Sequence, residues 1–592
     1  MEDAFMTSRR PTHALVLFLL ALVLFPVRSA AQSPVDPGKL PARTTFYLLW
    51  HGSPSGDLRA RNSLYALWDD PAVAPARSAF LASLLTNDPK QKDKPALSPE
   101  EAAQYLTLLD NPFLVGYFRA PESLTSPAKP AASTNKSSAP ADKPAWNGLF
   151  LIYDRTGKEE LLSKAVLRLR GTETELPKLT NLTVAGVPAL KVERKSGVNY
   201  WAEFSKYAVS AQELPVFEDI LNLLNGKPTP TTLSQVESFN EAKPLLSGGL
   251  LEVFLNASHL KEVALESAPG GPTAQLKPFL NALKLDSLHS LAARLSMDGS
   301  RTRFQGVLLG DTTPGGLFDI FSEGQTHPAS MAFLTPDTLY YSESQIDFVG
   351  IYKMIKRAIT QAAGASAQQI NLVESATATR IGMPLEDALG LATGEFASLQ
   401  TSPAFDKNQQ VYFLGIRNKP DTLKLARTLL GDRISSERNE GSTTFLKVSL
   451  QGGQSSAGVT QWNFYYVAVT PHALLGASKA ETLRAYIEHS AGADPAPPQA
   501  LQAARAQFPE KLSSLTFFDF QKVDWAALKT EWIAEANKAK QTAKSTEAAK
   551  NNANFATWLS QIPPDAIPHH LHTLAGAGWK DAKGVHFEEW LD

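Results

Sequence analysis

Similar segments recur in the same order in the two halves of this 592-residue chain, and this recurrence constrains its fold more than any other feature. Each half opens with a proline and then an aromatic strand pattern, at residues 45–48 and 338–341. Near the end of each half, residues 288–292 match residues 571–575 (LHSLA and LHTLA). A series of matches in one order indicates a repeated structural unit.

Strand and helix patterns alternate within each half. Residues 187–193 and 198–204 are apolar-rich runs around a Lys-Ser-Gly turn, which predicts an antiparallel hairpin. A helical pattern follows the apolar run 150–153 and suggests a β-α-β unit. We therefore predict an α+β fold of two tandem homologous copies, each with mixed or mostly antiparallel sheets covered by helices.

The N-terminus resembles an export signal. Arg9 and Arg10 precede an apolar run at 14–27, and small residues at 29–31 fit a cleavage site before Gln32. The run is shorter than the roughly 20 apolar residues that a membrane-spanning helix needs. We expect a cleavable signal peptide, a periplasmic or secreted protein, and no stable membrane span after cleavage. Retention of the segment as an anchor is the alternative.

The predicted domains follow from the signal and the recurrence. They are a signal peptide at 1–31, a first copy at 32–325 and a second copy at 326–592. Residues 121–144 are rich in Pro, Ala, Ser and Lys and have no counterpart in the second half. Such a segment cannot bury enough apolar surface to order itself, so we predict a flexible insertion.

Composition excludes several classes of function. The chain has no cysteine, which rules out disulfides, thiolate nucleophiles and cysteine-ligated metals. Its net charge of −2 gives no basis for binding nucleic acid. Neither a phosphate-binding P-loop nor a dinucleotide fingerprint is present in the sequence. We therefore predict no catalytic residues and no cofactor, although an enzymatic role stays open.

One histidine-rich segment is a weak metal-site candidate. His570 and His572 lie two residues apart, and His586 and Glu588 follow on the next predicted strand. Imidazoles at this spacing can point the same way on an extended segment, and a carboxylate would complete a zinc-like set. No H-E-x-x-H motif supports this interpretation, and His572 matches His289 of the first half, which favours a structural histidine.

Aromatic residues recur on the predicted strands of both halves, for example at 46–47 and 340–341. Aromatic residues favour strands, so the sheet core is the preferred interpretation, and an apolar or carbohydrate-stacking groove is the alternative. Adjacent acids such as Glu588 and Glu589 point to opposite faces of a strand and make poor acid–base pairs. We expect most of them to be solvated.

Three segments carry a resemblance to a known family: 40–47 (LPARTTFY), 335–340 (TPDTLY) and 474–478 (LLGAS). With the signal peptide, they resemble a family of exported bacterial proteins known only as a domain of unknown function. The resemblance implies a location in the bacterial envelope and a repeated α+β fold. It carries no catalytic residues.

These observations leave three functions. The first is a non-catalytic envelope protein that binds an unknown envelope partner or a small ligand. The second is a structural or scaffold protein, suggested by the Ala/Lys/Glu-rich arm at 532–554. The third is a metal-dependent hydrolase that uses the region 569–572.

Overall fold

The computed structural model describes residues 35–54, 56–79, 99–118, 148–170, 178–194, 197–227, 230–266, 281, 284–312, 316–363, 367–401, 409–450, 463–491, 497–542 and 546–592. The predicted signal peptide 1–31 and the predicted insertion 121–144 lie outside these residues. Within them, no helix has the length and apolar content needed to cross a membrane.

All twenty strands belong to one sheet. They are β1 (Thr44–Trp50), β2 (Phe113–Phe118), β3 (Leu149–Asp154), β4 (Lys178–Val184), β5 (Val187–Arg194), β6 (Gly197–Phe204), β7 (Tyr207–Ala211), β8 (Leu251–Asn256), β9 (Leu288–Asp298), β10 (Arg301–Gly310), β11 (Tyr340–Gln345), β12 (Ala392–Gln400), β13 (Val411–Ile416), β14 (Ile434–Glu440), β15 (Thr443–Leu450), β16 (Asn463–Val469), β17 (Ala473–Ala477), β18 (Ser514–Asp519), β19 (Thr573–Asp581) and β20 (Gly584–Leu591).

The pairings give one continuous order across the sheet, β4-β5-β6-β7-β3-β2-β1-β8-β9-β10-β20-β19-β18-β11-β12-β13-β17-β16-β15-β14. The predicted hairpin at 187–204 is confirmed by the pairing of β5 with β6. The predicted β-α-β unit is wrong, because β3 pairs antiparallel with both β2 and β7.

The predicted fold class is therefore corrected. Two tandem copies with sheets of their own were expected, whereas the described strands form a single sheet in which every pairing is antiparallel. The pairing of β10 with β20 makes the sheet continuous, with eight residue pairs from Thr302–Leu591 to Leu309–Gly584. Local sequence patterns predicted the strands, but they do not contain this long-range pairing of strand edges.

Sixteen α-helices are described. They are α1 (Gly56–Arg61), α2 (Ser63–Asp69), α3 (Pro99–Leu106), α4 (Glu159–Arg170), α5 (Leu214–Leu224), α6 (Glu237–Leu246), α7 (Ala257–Glu266), α8 (Phe348–Ala363), α9 (Ala367–Ile381), α10 (Leu385–Gly390), α11 (Lys419–Leu430), α12 (Ala480–Ala491), α13 (Gln499–Arg505), α14 (Trp525–Gln541), α15 (Thr546–Gln561) and α16 (Ala566–His570). The predicted arm at 532–554 falls on α14 and α15, which pack against each other.

One face of the sheet, here called the covered face, carries the main cores. Four helices lie on it: α5 contacts β3 and β7, α6 contacts β8 to β10, α12 contacts β16 and β17, and α13 contacts β18 and β19. Strand side chains that point to this face, such as Tyr47, Phe254 and Phe413, are almost fully buried in two large apolar clusters. Burying large aromatic and aliphatic side chains stabilises this layer strongly.

Candidate functional site

The histidine-rich segment is not extended. His569 and His570 end the short helix α16, and their rings meet edge to face with centroids 4.6 Å apart. The geometry expected for imidazoles two residues apart on an extended chain is therefore absent here. Pro568 lies inside this single helical turn.

His570 links two distant parts of the chain. Its Nε2 lies 2.9 Å from Oδ2 of Asp70, the residue that follows α2. The hydrogen bond from His570, aided by the backbone N–H of Ala72, holds the pKa of Asp70 below its usual value. Because α2 and α16 are in contact here, the bond between His570 and Asp70 gives this histidine a structural role.

The structure does not bring His570, His572 and His586 together. His572 is exposed just before β19 and is hydrogen-bonded to Asp592. His586 lies six residues before Asp592, so the two histidines are about 20 Å apart along the strands. The His586 ring stacks on Trp579, with centroids 5.2 Å apart, and its Nε2 lies 3.0 Å from Oδ2 of Asp581. Across the described part of the chain, no group of three or more His, Asp or Glu could hold a metal ion.

Two buried carboxylates lie on the covered face. Glu395 of β12 is 2% exposed and accepts hydrogen bonds from the backbone N–H groups of Ala329 (3.0 Å) and Ser330 (2.6 Å). These N–H groups begin a short 3-10 helix, Ala329–Phe333, whose positive end favours a carboxylate. Glu395 therefore fastens this turn to the sheet.

The second carboxylate, Glu343 of β11, is 1% exposed. Its Oε1 accepts a hydrogen bond of 2.9 Å from Gln345, while Oε2 is buried with no hydrogen-bond partner. Burial raises the pKa of Glu343 to about 7. The group is enclosed by protein, so its chemistry concerns stability rather than a ligand.

A cavity of about 560 Å³ lies beside the start of α8. Several of its charged groups have partners: Lys580 Nζ donates to the carbonyl of Phe318 at 2.9 Å, and Asp347 accepts from the N–H of Gly350 at 2.8 Å. Arg417 Nε donates to the carbonyl of Ala392 at 3.3 Å. These contacts are internal to the protein and do not indicate a ligand.

The opposite side of the sheet, here called the open face, differs sharply from the covered face. Many of its apolar strand side chains are only half-buried, although Trp50, Leu251 and Leu295 on the same side are buried. The apolar side chains and the tyrosine of the open face that are not fully buried are Phe46, Leu48, Val253, Leu255, Leu291, Phe304, Leu308, Phe587, Leu574, Phe518, Phe396, Tyr412 and Leu414. Hydroxyl side chains such as Thr516 and Ser342 lie on the same side.

Aromatic side chains on the open face contact one another across strands. The ring centroids of Phe304 and Phe587 are 5.7 Å apart, and those of Phe396 and Tyr412 are 6.4 Å apart. Phe396 is 40% exposed. Tyr47 lies in the core, as the preferred sequence interpretation expected, whereas Phe46 next to it lies on the open face. The groove interpretation stays a prediction.

Helices limit this surface at its ends. Leu64 and Tyr65 of α2 pack with Phe304 and Leu591 in one apolar cluster. Leu528 of α14 packs in another cluster, near Phe518 at the far end of the neighbouring strands. Between these ends, strand alternation puts three glycines, Gly306, Gly576 and Gly578, at positions that face this side.

Glu589 is an acidic side chain that strand alternation places on the open face, beside Phe587 and Leu591 of the same strand. It lies opposite Phe304 on β10 and Gly576 on β19. Its neighbour Glu588 points to the covered face and accepts a 2.8 Å hydrogen bond from Gln305. Burial raises the pKa of the Glu589 carboxyl.

Comparisons with family models, with curated proteins and with solved structures found no match to this chain.

Sequence reasoning did not predict the open face or the position of Glu589 on it. The predicted placement of Glu588 and Glu589 on opposite faces agrees with the structure, but the expectation of solvated acids is wrong for Glu589, which is half-buried. A usable signal was the run Val585–Leu591, in which apolar residues occupy both alternations around these acids. Such a run indicates a strand with apolar surroundings on both sides.

Proposed function

We propose that this chain is an exported, non-catalytic binding protein that holds an apolar small molecule against the open face. One observation carries the proposal: this face presents a row of aromatic and aliphatic strand side chains that are only half-buried. Soluble proteins seldom expose contiguous apolar surface beyond a few hundred Å² unless it serves in binding.

The shape of the face supports a small ligand. Gly576 and Gly578 of β19 carry no side chains and lie between Phe304 and Phe587 on one side and Phe518 on the other. The ring of Phe587 itself covers Gly306. Ligand sites are typically concave and mostly apolar, with a few placed polar groups. Each Å² of apolar ligand surface removed from water contributes about 25 cal/mol.

Export is part of the proposal and rests on the basic, apolar and small-residue pattern of residues 9–31. The sequence argument for a metal-dependent hydrolase is not supported, because His570, His572 and His586 are not brought together.

The test is equilibrium binding of the neutral fluorescent probe N-phenyl-1-naphthylamine, followed by its emission. We expect saturable binding, and we expect Phe587→Ser to weaken it at least tenfold, because the ring at the centre of the face is lost. Phe396→Ser, at the edge of the face, should have a smaller effect.

Leu179→Ser is the matched control, because Leu179 is a 49% exposed apolar residue on the outer strand β4. Circular dichroism checks that each variant is folded. Absence of saturable binding by the wild type, or equal weakening by Leu179→Ser, would contradict the proposal.

A further inference from the structure

We propose that the open face binds a single-chain amphiphile whose polar head is a protonated amine, and that the carboxylate of Glu589 accepts that head. This inference rests on the proposed function, because it names the chemical class of ligand for the same surface. It is carried by the place of Glu589 among apolar neighbours and by the lack of a partner for it among the described residues.

The backbone fixes where the carboxyl group lies. Glu589 lies two residues before the end of β20, the strand that joins the two parts of the sheet, and it forms cross-strand pairs with Phe304 and Gly576. A Cβ atom placed on Gly576 would lie 3.4 Å from Cγ of Glu589. The acid therefore lies against the glycine, at the floor of the open face.

The surroundings of this acid are apolar. On its own strand the residues two positions away on the same side are Phe587 and Leu591, and Phe304 faces it from β10. No hydrogen bond or ion pair reaches Glu589 from any residue that the structure describes. By contrast, Glu588 next to it is hydrogen-bonded to Gln305 and lies 3.4 Å from Arg303 Nε.

A carboxylate in such a place is costly to keep charged without a counter-charge. A protonated amine that comes with its own apolar chain satisfies both parts of the surface, since the chain covers the aromatic rings and the ammonium pairs with the acid. A metal ion fits less well, because it needs several protein ligands and Glu589 stands alone among the described residues.

An ammonium group has three N–H donors, and hydroxyl groups on the strands beyond Gly576 can accept the hydrogen bonds that Glu589 does not. Thr516 of β18 is paired with Gly576, about 10 Å from the Glu589 backbone across two strand spacings. Its Oγ1 lies 3.5 Å from Oγ of Ser342 on the next strand. The head group thus has a carboxylate on one side and hydroxyls on the other.

The experiment measures displacement of N-phenyl-1-naphthylamine by three twelve-carbon amphiphiles below their micelle concentrations: dodecylammonium, dodecanol and dodecanoate. For the wild type we expect dodecylammonium to displace the probe at a concentration at least tenfold lower than dodecanoate. Glu589→Gln should bind the probe as well as the wild type and lose this preference.

Glu588→Gln is the matched control, because it makes the same change one residue away on the covered face; it should keep the preference. Unfolding in urea gives a second readout, in which Glu589→Gln should be at least as stable as the wild type at pH 8, since it removes an unpaired acid. A large loss of stability would show that Glu589 has a structural partner and would overturn the assignment.

The outcomes separate the two proposals. Probe binding without any preference for the amine, or a preference that survives Glu589→Gln, overturns the inference and leaves the binding function standing. Binding to phosphatidylethanolamine vesicles without binding of monomeric dodecylammonium also overturns it, because the occupant is then a bilayer. Absence of probe binding removes both.

Discussion

At the residue scale, the clearest electrostatic feature is Glu343, a carboxyl group buried on the covered face whose pKa is raised from 4.5 to about 7. The unfolded chain releases this proton near its ordinary pKa, so the folded state loses stability as pH rises from about 4.5 to about 7. A shift of this size corresponds to about 3 kcal/mol above pH 7. We expect Glu343→Gln to raise the free energy of unfolding at pH 8 by up to that amount and to change it little at pH 4.5.

Urea denaturation at the two pH values measures this effect. Gln keeps an oxygen that can accept the 2.9 Å hydrogen bond from Gln345. The control is Glu531→Gln on the exposed side of α14, which should leave the stability at both pH values unchanged. The same loss of stability with rising pH in Glu343→Gln as in the wild type would disprove the assignment.

At the scale of elements, the pairing of β10 with β20 depends on a close approach of backbone at Gly584. This glycine has φ +157, and a Cβ atom there would lie 2.0 Å from the carbonyl oxygen of Leu308. The clash is with backbone, so no side-chain rotation relieves it. We expect Gly584→Ala to cost about 2 kcal/mol of stability, within the range known for overpacking.

The measurement is the urea midpoint of unfolding at constant m-value. Gly56→Ala offers the same chemical change at the first residue of α1, where no atom lies within 4 Å of the added Cβ. That variant should be neutral or slightly more stable. Similar midpoints for both variants would show that the close approach at Gly584 does not exist.

At the scale of the whole molecule, the continuous sheet predicts that the chain cannot be divided at the predicted boundary between residues 325 and 326. A cut there separates β10 from β20 and exposes two long strand edges, each with eight residue pairs lost. Unpaired edges associate with other strands. We expect fragment 326–592 alone to self-associate, and we expect it to form a 1:1 complex when co-expressed with fragment 35–325.

Size-exclusion chromatography with light scattering distinguishes these states, and intact protein purified in parallel provides the reference. Two further contacts should strengthen the complex, His570 with Asp70 and Arg301 with Asp592. Two monomeric fragments that do not associate would contradict the continuous sheet. The domain boundary itself stays a prediction.

The strands were predictable from sequence to a large extent, because their signal is local. The runs at 150–153 and 413–416 fall within β3 and β13, and the hairpin at 187–204 is present. The histidine site was not predictable. The conformation of residues 566–570 depends on their packing against α2, some 500 residues away along the chain, so a two-residue spacing alone gave the wrong geometry.

The open face shows the same division between local and long-range information. By itself, the sequence determined which residues alternate along each strand, that Glu588 and Glu589 point apart, and that no cysteine can take part. Only the tertiary structure decided that the strands join into one sheet, that helices cover one side, and that Glu589 faces apolar neighbours on the other. The physical reason is that side-chain alternation arises within a strand, whereas burial depends on which distant elements pack against each face.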